Sequence, residues 1–169
     1  MFNIHKEIER KFVLHESEFY DIVSSPKVTM NAIFEIIDVY FNKHFRFRSV
    51  IKGFKTEYLS TIEFGHGISR IEIEFSIPKW LYYLATINKY KLHRETWCYH
   101  LDGNTCRVCK YPYGIHYIGG VGFNNIELAN RFHVLSKYRE ITDSKTYSDY
   151  NMYKLYENTW NPARKGRVL

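Results

Sequence analysis

The chain has 169 residues, 45% hydrophobic, 18% aromatic and 25% charged, with a formal net charge of +6 at pH 7. That length suits one globular domain able to bury its own core; no apolar run reaches the ~20 residues of a membrane span, charges at His5, Lys6, Glu7 and Glu9 leave no signal peptide, and three cysteines argue against a disulfide framework. The expectation is a soluble cytoplasmic protein without a membrane partner, rich in strands because aromatics favour them, whose positive balance suits nucleotides, polyphosphate or nucleic acid without choosing among them.

In chain order, Ile4 to Leu14 alternates apolar and charged residues and predicts a strand. His15-Glu16-Ser17 opens a short helix through Val23, stopped before Pro26. Phe34 to Phe41, Phe45 to Ile51 and Tyr58 to Phe64 read as strands, with turns at Asn42-Lys43-His44 and Gly65-His66-Gly67. Arg70 to Ile77 alternates throughout, and Pro78 starts a helix through Ile87. Lys89 to His100 and Thr105 to Tyr111 flank a turn at Asp102-Gly103-Asn104, and Ile115 to Phe123 is the last strand. Asn125 to Ser136, capped by Asn124 or Asn125, and Tyr147 to Asn158 are helical in pattern. The count is eight strands with short helices decorating the ends, a mainly β (α+β) class over residues 1–158, with residues 159–169 as a basic C-terminal tail.

Alternate strand residues share a face, so Glu7, Glu9 and Lys11 point together, as do Arg46 and Arg48, and Arg70, Glu72 and Glu74. In an open sheet such stripes face solvent; in a closed barrel they converge on the lumen. Ile8 and Phe12, Phe45 and Phe47, and Ile71, Ile73 and Phe75 occupy the opposite faces, as a barrel with helices packed outside requires.

His5-Lys6-Glu7-Ile8-Glu9-Arg10-Lys11-Phe12 resembles the Glu-x-Glu-x-Lys signature that opens CYTH, or triphosphate tunnel metalloenzyme, proteins. Ile37-Asp38-Val39-Tyr40-Phe41 with Arg46-x-Arg48, Leu59 to Glu63, Arg70-x-Glu72-x-Glu74, the strand around Lys91 and Arg94, and Tyr138-Arg139-Glu140-Ile141-Thr142-Asp143 followed by Tyr147 resemble that family in order, across residues 3 to about 155. The resemblance implies an eight-stranded antiparallel β-barrel decorated by short helices, a tunnel in which Lys11, Arg46, Arg48, Arg70, Arg94 and, more weakly, Lys91 hold phosphates. It implies that Glu7 and Glu9 are catalytic, that Glu7, Glu9 and Glu140 bind Mg²⁺ or Mn²⁺, and that Glu72, Glu74 and Glu63 are supporting acids. The chemistry is consistent: a triphosphate needs several cations to replace its hydration, and hard divalent ions bridge carboxylate to phosphate.

The chain departs from the family at Ser60-Thr61-Ile62-Glu63, where a base gives way to an acid, and at Tyr117 to Phe123, where Gly120 and Gly122 stand at positions expected to be acidic. Thr105 to Lys110 also lacks the family's acid, carrying Arg107 and Lys110 instead. The leading expectation is a metal-dependent phosphohydrolase acting on inorganic triphosphate, a nucleoside triphosphate, thiamine triphosphate or an RNA 5′-triphosphate. The alternative is a nucleotide- or polyphosphate-binding protein with an incomplete metal site; an adenylyl cyclase is less favoured, since nothing specifies adenine. RNA suits the basic tail, but no RNA-binding motif calls for it. Parity about the 102–104 turn places Cys98, His100 and Cys106 on one face and Cys109 on the other, which argues against zinc. Trp80, Tyr82, Tyr83 and Leu84 are expected to pack on the barrel.

Overall fold

Alternating sequence makes strands with one wet and one dry face, and here such strands close on themselves. The computed structural model describes residues 2–26, 28–101, 103–112, 117–133, 135 and 137–160. The elements are β1 (Phe2–Leu14), α1 (Glu16–Val23), β2 (Val28–Asn42), β3 (Phe45–Lys52), β4 (Lys55–His66), β5 (Ser69–Ser76), α2 (Lys79–Thr86), β6 (Leu92–Leu101), β7 (Asn104–Lys110), β8 (Tyr117–Gly122), α3 (Ile126–Arg131), β9 (Arg139–Glu140) and α4 (Asp149–Trp160).

All pairings are antiparallel, and the order around the barrel is β5-β4-β3-β2-β6-β7-β8-β1, closed by β1 against β5. β1 is long enough to close it, pairing through Phe2–Ile8 with β5 and through Glu9–Leu14 with β8. β9 continues the β5 edge of β1, with Glu140 opposite Phe12. The eight-stranded barrel expected from the sequence is therefore present.

One core lies outside the barrel, where Ile8, Phe12, Val108 and Val121 pack under Phe19 of α1, Ala129 of α3 and the following Phe132 and Leu135. A second core closes one end: Met152, Tyr153 and Tyr156 of α4 pack on Tyr40, Leu92, Tyr111 and Ile118. Tyr153 also donates to the Tyr90 carbonyl at 3.1 Å, so α4 is anchored rather than loosely laid.

Several boundaries differ from expectation. β2 begins at Val28 because Val28 to Phe34 finds a ladder on β6. The β6–β7 turn is two residues long, with Leu101 opposite Asn104; Asp102 itself lies outside the described residues. Cys98 consequently faces the same side as Arg107 and Cys109, whereas Cys106 lies opposite Tyr99 on the other side, the reverse of the expected parity for Cys106. All three described cysteines are free thiols. α3 is capped by Asn125, whose side chain accepts from Leu128 N at 2.8 Å, but it stops at Arg131 rather than Ser136, which lies outside the described residues. Arg10 captures its last carbonyls, donating to Ala129 O at 3.0 Å and Phe132 O at 2.6 Å. Residues 113–116, including the expected strand start at Ile115, and 161–169, most of the expected tail, lie outside the described residues, while 159–160 belong to α4. Among the described residues, no helix is long and apolar enough to cross a membrane.

Candidate functional site

Pleating turns one side chain in two into the barrel, and the inward positions on these strands are charged. Lys11, Arg46, Arg48, Arg70, Arg94 and Arg107 line a central cavity of about 60 Å³ together with Glu7, Glu9, Glu72 and Asp149. Asp38 and Glu63 stand behind them and complete the ion pairs, so the bases and acids named here are equal in number. A lumen filled this way is self-neutralised, which is how charges survive burial.

The pairs follow register. Glu7 lies opposite Arg70, and Asp38 opposite Arg48. Arg48 Nε donates to Asp38 Oδ1 at 2.7 Å, Arg94 donates to Asp38 Oδ2, and Arg46 Nε lies 3.7 Å from Asp38 Oδ1. Burial alone would raise the fully buried Asp38 carboxyl, but Arg48, Arg94 and Arg46 outweigh it and hold its pKa at about 2. Arg46 also reaches Glu63 at 2.8 Å and Glu72 at 3.0 Å, and Glu72 is likewise held at about 2 against its burial by Arg46, Arg48 and Arg70.

Glu7 and Glu9 share one guanidinium nitrogen: Arg70 Nη2 lies 2.6 Å from Glu7 Oε2 and 2.6 Å from Glu9 Oε2. Arg107 donates to Glu7 Oε1 at 2.5 Å. Burial and the neighbouring Glu9 push the Glu7 carboxyl above its ordinary range, while Lys11, Arg70 and Arg107 hold Glu9 below its own despite burial. Glu7 Oε2 touches Arg70 outside hydrogen-bonding geometry and has no other hydrogen-bond partner among the described residues. The Glu9 carboxylate leans over β8, and a Cβ on Gly120 would collide with Glu9 Oε1. The glycine that replaces an expected acid therefore makes room for an acid from the neighbouring strand.

Asp149, at the start of α4, enters the lumen from the closed end. It lies 3.6 Å from Lys11 Nζ and 3.6 Å from Arg94 Nη1, and accepts from Tyr111 Oη at 3.2 Å. Burial disfavours its charge, but Lys11, Arg94 and Arg46 hold its carboxyl well below the usual range. Beside α4 the lumen opens into a vestibule of about 610 Å³ bordered by Tyr40, His44, His66, Lys145, Tyr147 and Tyr150.

Of the residues singled out from sequence, Glu7, Glu9, Lys11, Arg46, Arg48, Glu63, Arg70, Glu72 and Arg94 meet in the lumen. Glu74 sits beside them, accepting from Thr61 Oγ1 at 3.4 Å. Lys91 does not join, because it precedes β6 with outward parity and its Nζ lies 6.0 Å from the Tyr83 ring centroid on the outer surface. Glu140 does not join either. It lies opposite outward-facing Phe12 and is held by Arg10, with Nε to Oε1 at 2.8 Å and Nη2 to Oε2 at 2.5 Å. It therefore lies apart from Glu7 and Glu9. Asp38, Arg107 and Asp149 were not singled out. The first two could have been found from parity, since Asp38 alternates with Ile36 and Tyr40, and Arg107 with Thr105 and Cys109; Asp149 arrives from a helix, which no strand pattern signals.

Among the described residues, no three carboxylates, histidines or cysteines converge as a ready metal site. Adjacent Glu7 and Glu9, one with an unsatisfied buried oxygen, nevertheless fit Mg²⁺ or Mn²⁺, which commonly takes one or two carboxylates and completes its shell with water and phosphate.

No protein-family model and no curated protein sequence matches the chain. Solved structures do. The inorganic triphosphatase NE1496 superposes with a TM-score of 0.57 at 17% identity, covering 87% of this chain and 97% of that one. The PH1012 protein of Pyrococcus horikoshii OT3 gives 0.55 at 18% identity over 73% of this chain and 83% of that one. The chain has the triphosphate-tunnel fold. The same tunnel architecture is shared by a chain of the Schizosaccharomyces pombe Mediator head module, with a TM-score of 0.51 at 12% identity over 94% of this chain and 96% of that one. A fold does not by itself carry an activity.

Proposed function

We propose that the protein is a metal-dependent phosphohydrolase acting on a triphosphate-bearing substrate. The observation that carries this reading is the convergence of Lys11, Arg46, Arg48, Arg70, Arg94 and Arg107 from five strands on one cavity, with Glu7 and Glu9 beside them. Five of those six are arginines, whose planar forks suit phosphate oxygens. Each base is now neutralised by a carboxylate, so an entering triphosphate displaces Glu7, Glu9 and Glu72 from the guanidiniums and leaves them seeking a cation. Glu7 and Glu9 would then be the residues to hold Mg²⁺ or Mn²⁺. When bound, that ion supplies charge at the phosphate oxygens and makes water a better nucleophile. Triphosphate and divalent ion therefore strengthen one another's binding. The vestibule has room for whatever the triphosphate is attached to, so inorganic triphosphate, nucleoside and thiamine triphosphates and an RNA 5′-triphosphate all belong in the assay.

A second reading, binding without turnover, is favoured by the lack of a third converging carboxylate among the described residues and by glycine at 120 and 122. Phosphate release from that substrate panel, with Mg²⁺ and Mn²⁺ supplied in turn, separates the two. We expect metal-dependent release that Glu9→Gln abolishes; no release from any substrate, with tripolyphosphate still bound, overturns catalysis in favour of binding. In calorimetric titration, Arg48→Ala should weaken tripolyphosphate roughly ten- to a hundredfold. Arg131→Ala, exposed at the end of α3, should leave it unchanged. Equal affinities for the two variants would sink both readings.

A further inference from the structure

The outside of the barrel is unevenly covered. α1 and α3 lie over one half, whereas on the face formed by the second half of β4, β5 and the first half of β1 the side chains of Phe2, Ile4, Phe64, Ile71 and Phe75 stay exposed. On that face the register lines up apolar rows: Phe2 beside Phe75, Ile4 beside Ile73 and Ile62, and Ile71 beside Phe64. Lys6, next to Ile71, is its one charge and lies at its corner. Adjoining it is α2, which rests Tyr82 and Tyr83 on Tyr58 of β4 at ring separations of 5.0 and 6.0 Å. This turns Trp80, Leu84 and Ile87 outward, so only Tyr82 of the four residues expected to pack on the barrel is buried.

Phe2, Ile4, Phe64, Ile71 and Phe75 of the sheet, with Trp80 and Leu84 of α2 and Ile87 at its C-terminal cap, are each between 37% and 73% exposed. At roughly 200 Å² for a large side chain this is on the order of 900 Å² of apolar surface. A monomer's largest apolar patch is usually about 300–600 Å², and a stable protein interface takes about 800 Å² from each partner.

We propose that two copies of the chain associate through this face, α2 of each lying across the bare β1–β5–β4 surface of the other. An exposed apolar sheet face and a helix lacking a cover stand side by side on one molecule. A twofold axis between them covers both at once, and the contact is closed. Two copies at +6 each repel at a distance, so they can meet only where cations are few, as on this face.

Sedimentation velocity on the full chain at micromolar concentration tests this. The expected species is twice the 20.4 kDa chain mass. Ile71→Lys, in the sheet half, and Leu84→Glu, in the helix half, should each give a monomer that still unfolds in one cooperative step, with a melt that no longer depends on protein concentration, and mixing the two variants should restore a dimer by pairing the new charges. A wild-type monomer across the concentration range, or dimers persisting in both variants, overturns the proposal. So does a monomer that co-sediments with anionic phospholipid vesicles, which assigns the face to a membrane surface instead.

Discussion

Asp149 competes with any incoming anion for Lys11 and Arg94. Unlike the strand glutamates, it sits on a short side chain at the head of a helix anchored by Met152, Tyr153 and Tyr156, so it has little freedom to swing aside. Asp149→Asn keeps the shape and removes the charge, and we expect it to tighten tripolyphosphate binding by about tenfold in calorimetric titration. Lys11 retains Glu9 and Arg94 retains Asp38, so the cost to folding should be about 1–3 kcal/mol by chemical denaturation. Unchanged or weaker binding would mean that Asp149 orients the bases instead of occupying them. Much of this residue-level site could be read in the sequence, because parity puts Glu7, Glu9 and Lys11, Arg46 and Arg48, and Arg70 and Glu72 on shared faces, and the family resemblance turns those faces, with Arg94, to the inside. Asp149 could not, because its position depends on where α4 crosses the barrel.

At the scale of elements, the sequence locates strands well and their company poorly. β1, β3 and β5 fall where alternation puts them, yet alternation does not say whether the apolar side is covered: Phe12, Ile71 and Phe75 all point out of the barrel, but Phe12 is buried under helices while the other two, with the same pattern, are exposed. The Glu140 segment shows the same limit. Its motif is in order along the chain, but two residues of pairing place Glu140 opposite Phe12 and so on the outer surface. Arg10 then joins β9 to the end of α3. Arg10→Met should lower stability by about 1–3 kcal/mol through the freed carbonyls and Glu140, with tripolyphosphate affinity unchanged. Loss of affinity in step with stability would place this cluster in the lumen's service after all.

Over the whole molecule, the charge lattice makes stability depend on pH in a direction that can be worked out. Asp38 and Glu72 have folded pKa values of about 2, below their unfolded values near 4, so their contribution is complete above about 4 and is lost as pH falls from there toward 2. Glu7 acts oppositely: its carboxyl is raised, so its charge burdens the fold, and that burden is lifted as pH falls through its folded pKa. Stability should therefore hold under mild acid and then drop by a few kcal/mol between pH 4 and 2, as read by urea midpoints. Asp38→Asn should lower stability at pH 7 and flatten that drop; an unaltered slope would remove Asp38 from the centre of the lattice.

The barrel closes through β1, and this governs how the protein is made. β1 is synthesised first, but the partners of Glu9 to Leu14 lie at Tyr117 to Gly122, more than a hundred residues later in the chain. On the ribosome, its charged and apolar stripes must wait, unpaired along one edge, until nearly the whole domain has emerged. Closing so long a loop is slow, in the millisecond-to-second range typical of β folds rather than the microseconds of helical bundles. During that interval β1 is one of the sheet's two exposed edges, with β7 the other, and it is the one that has waited longest for a misplaced strand or a chaperone to bind.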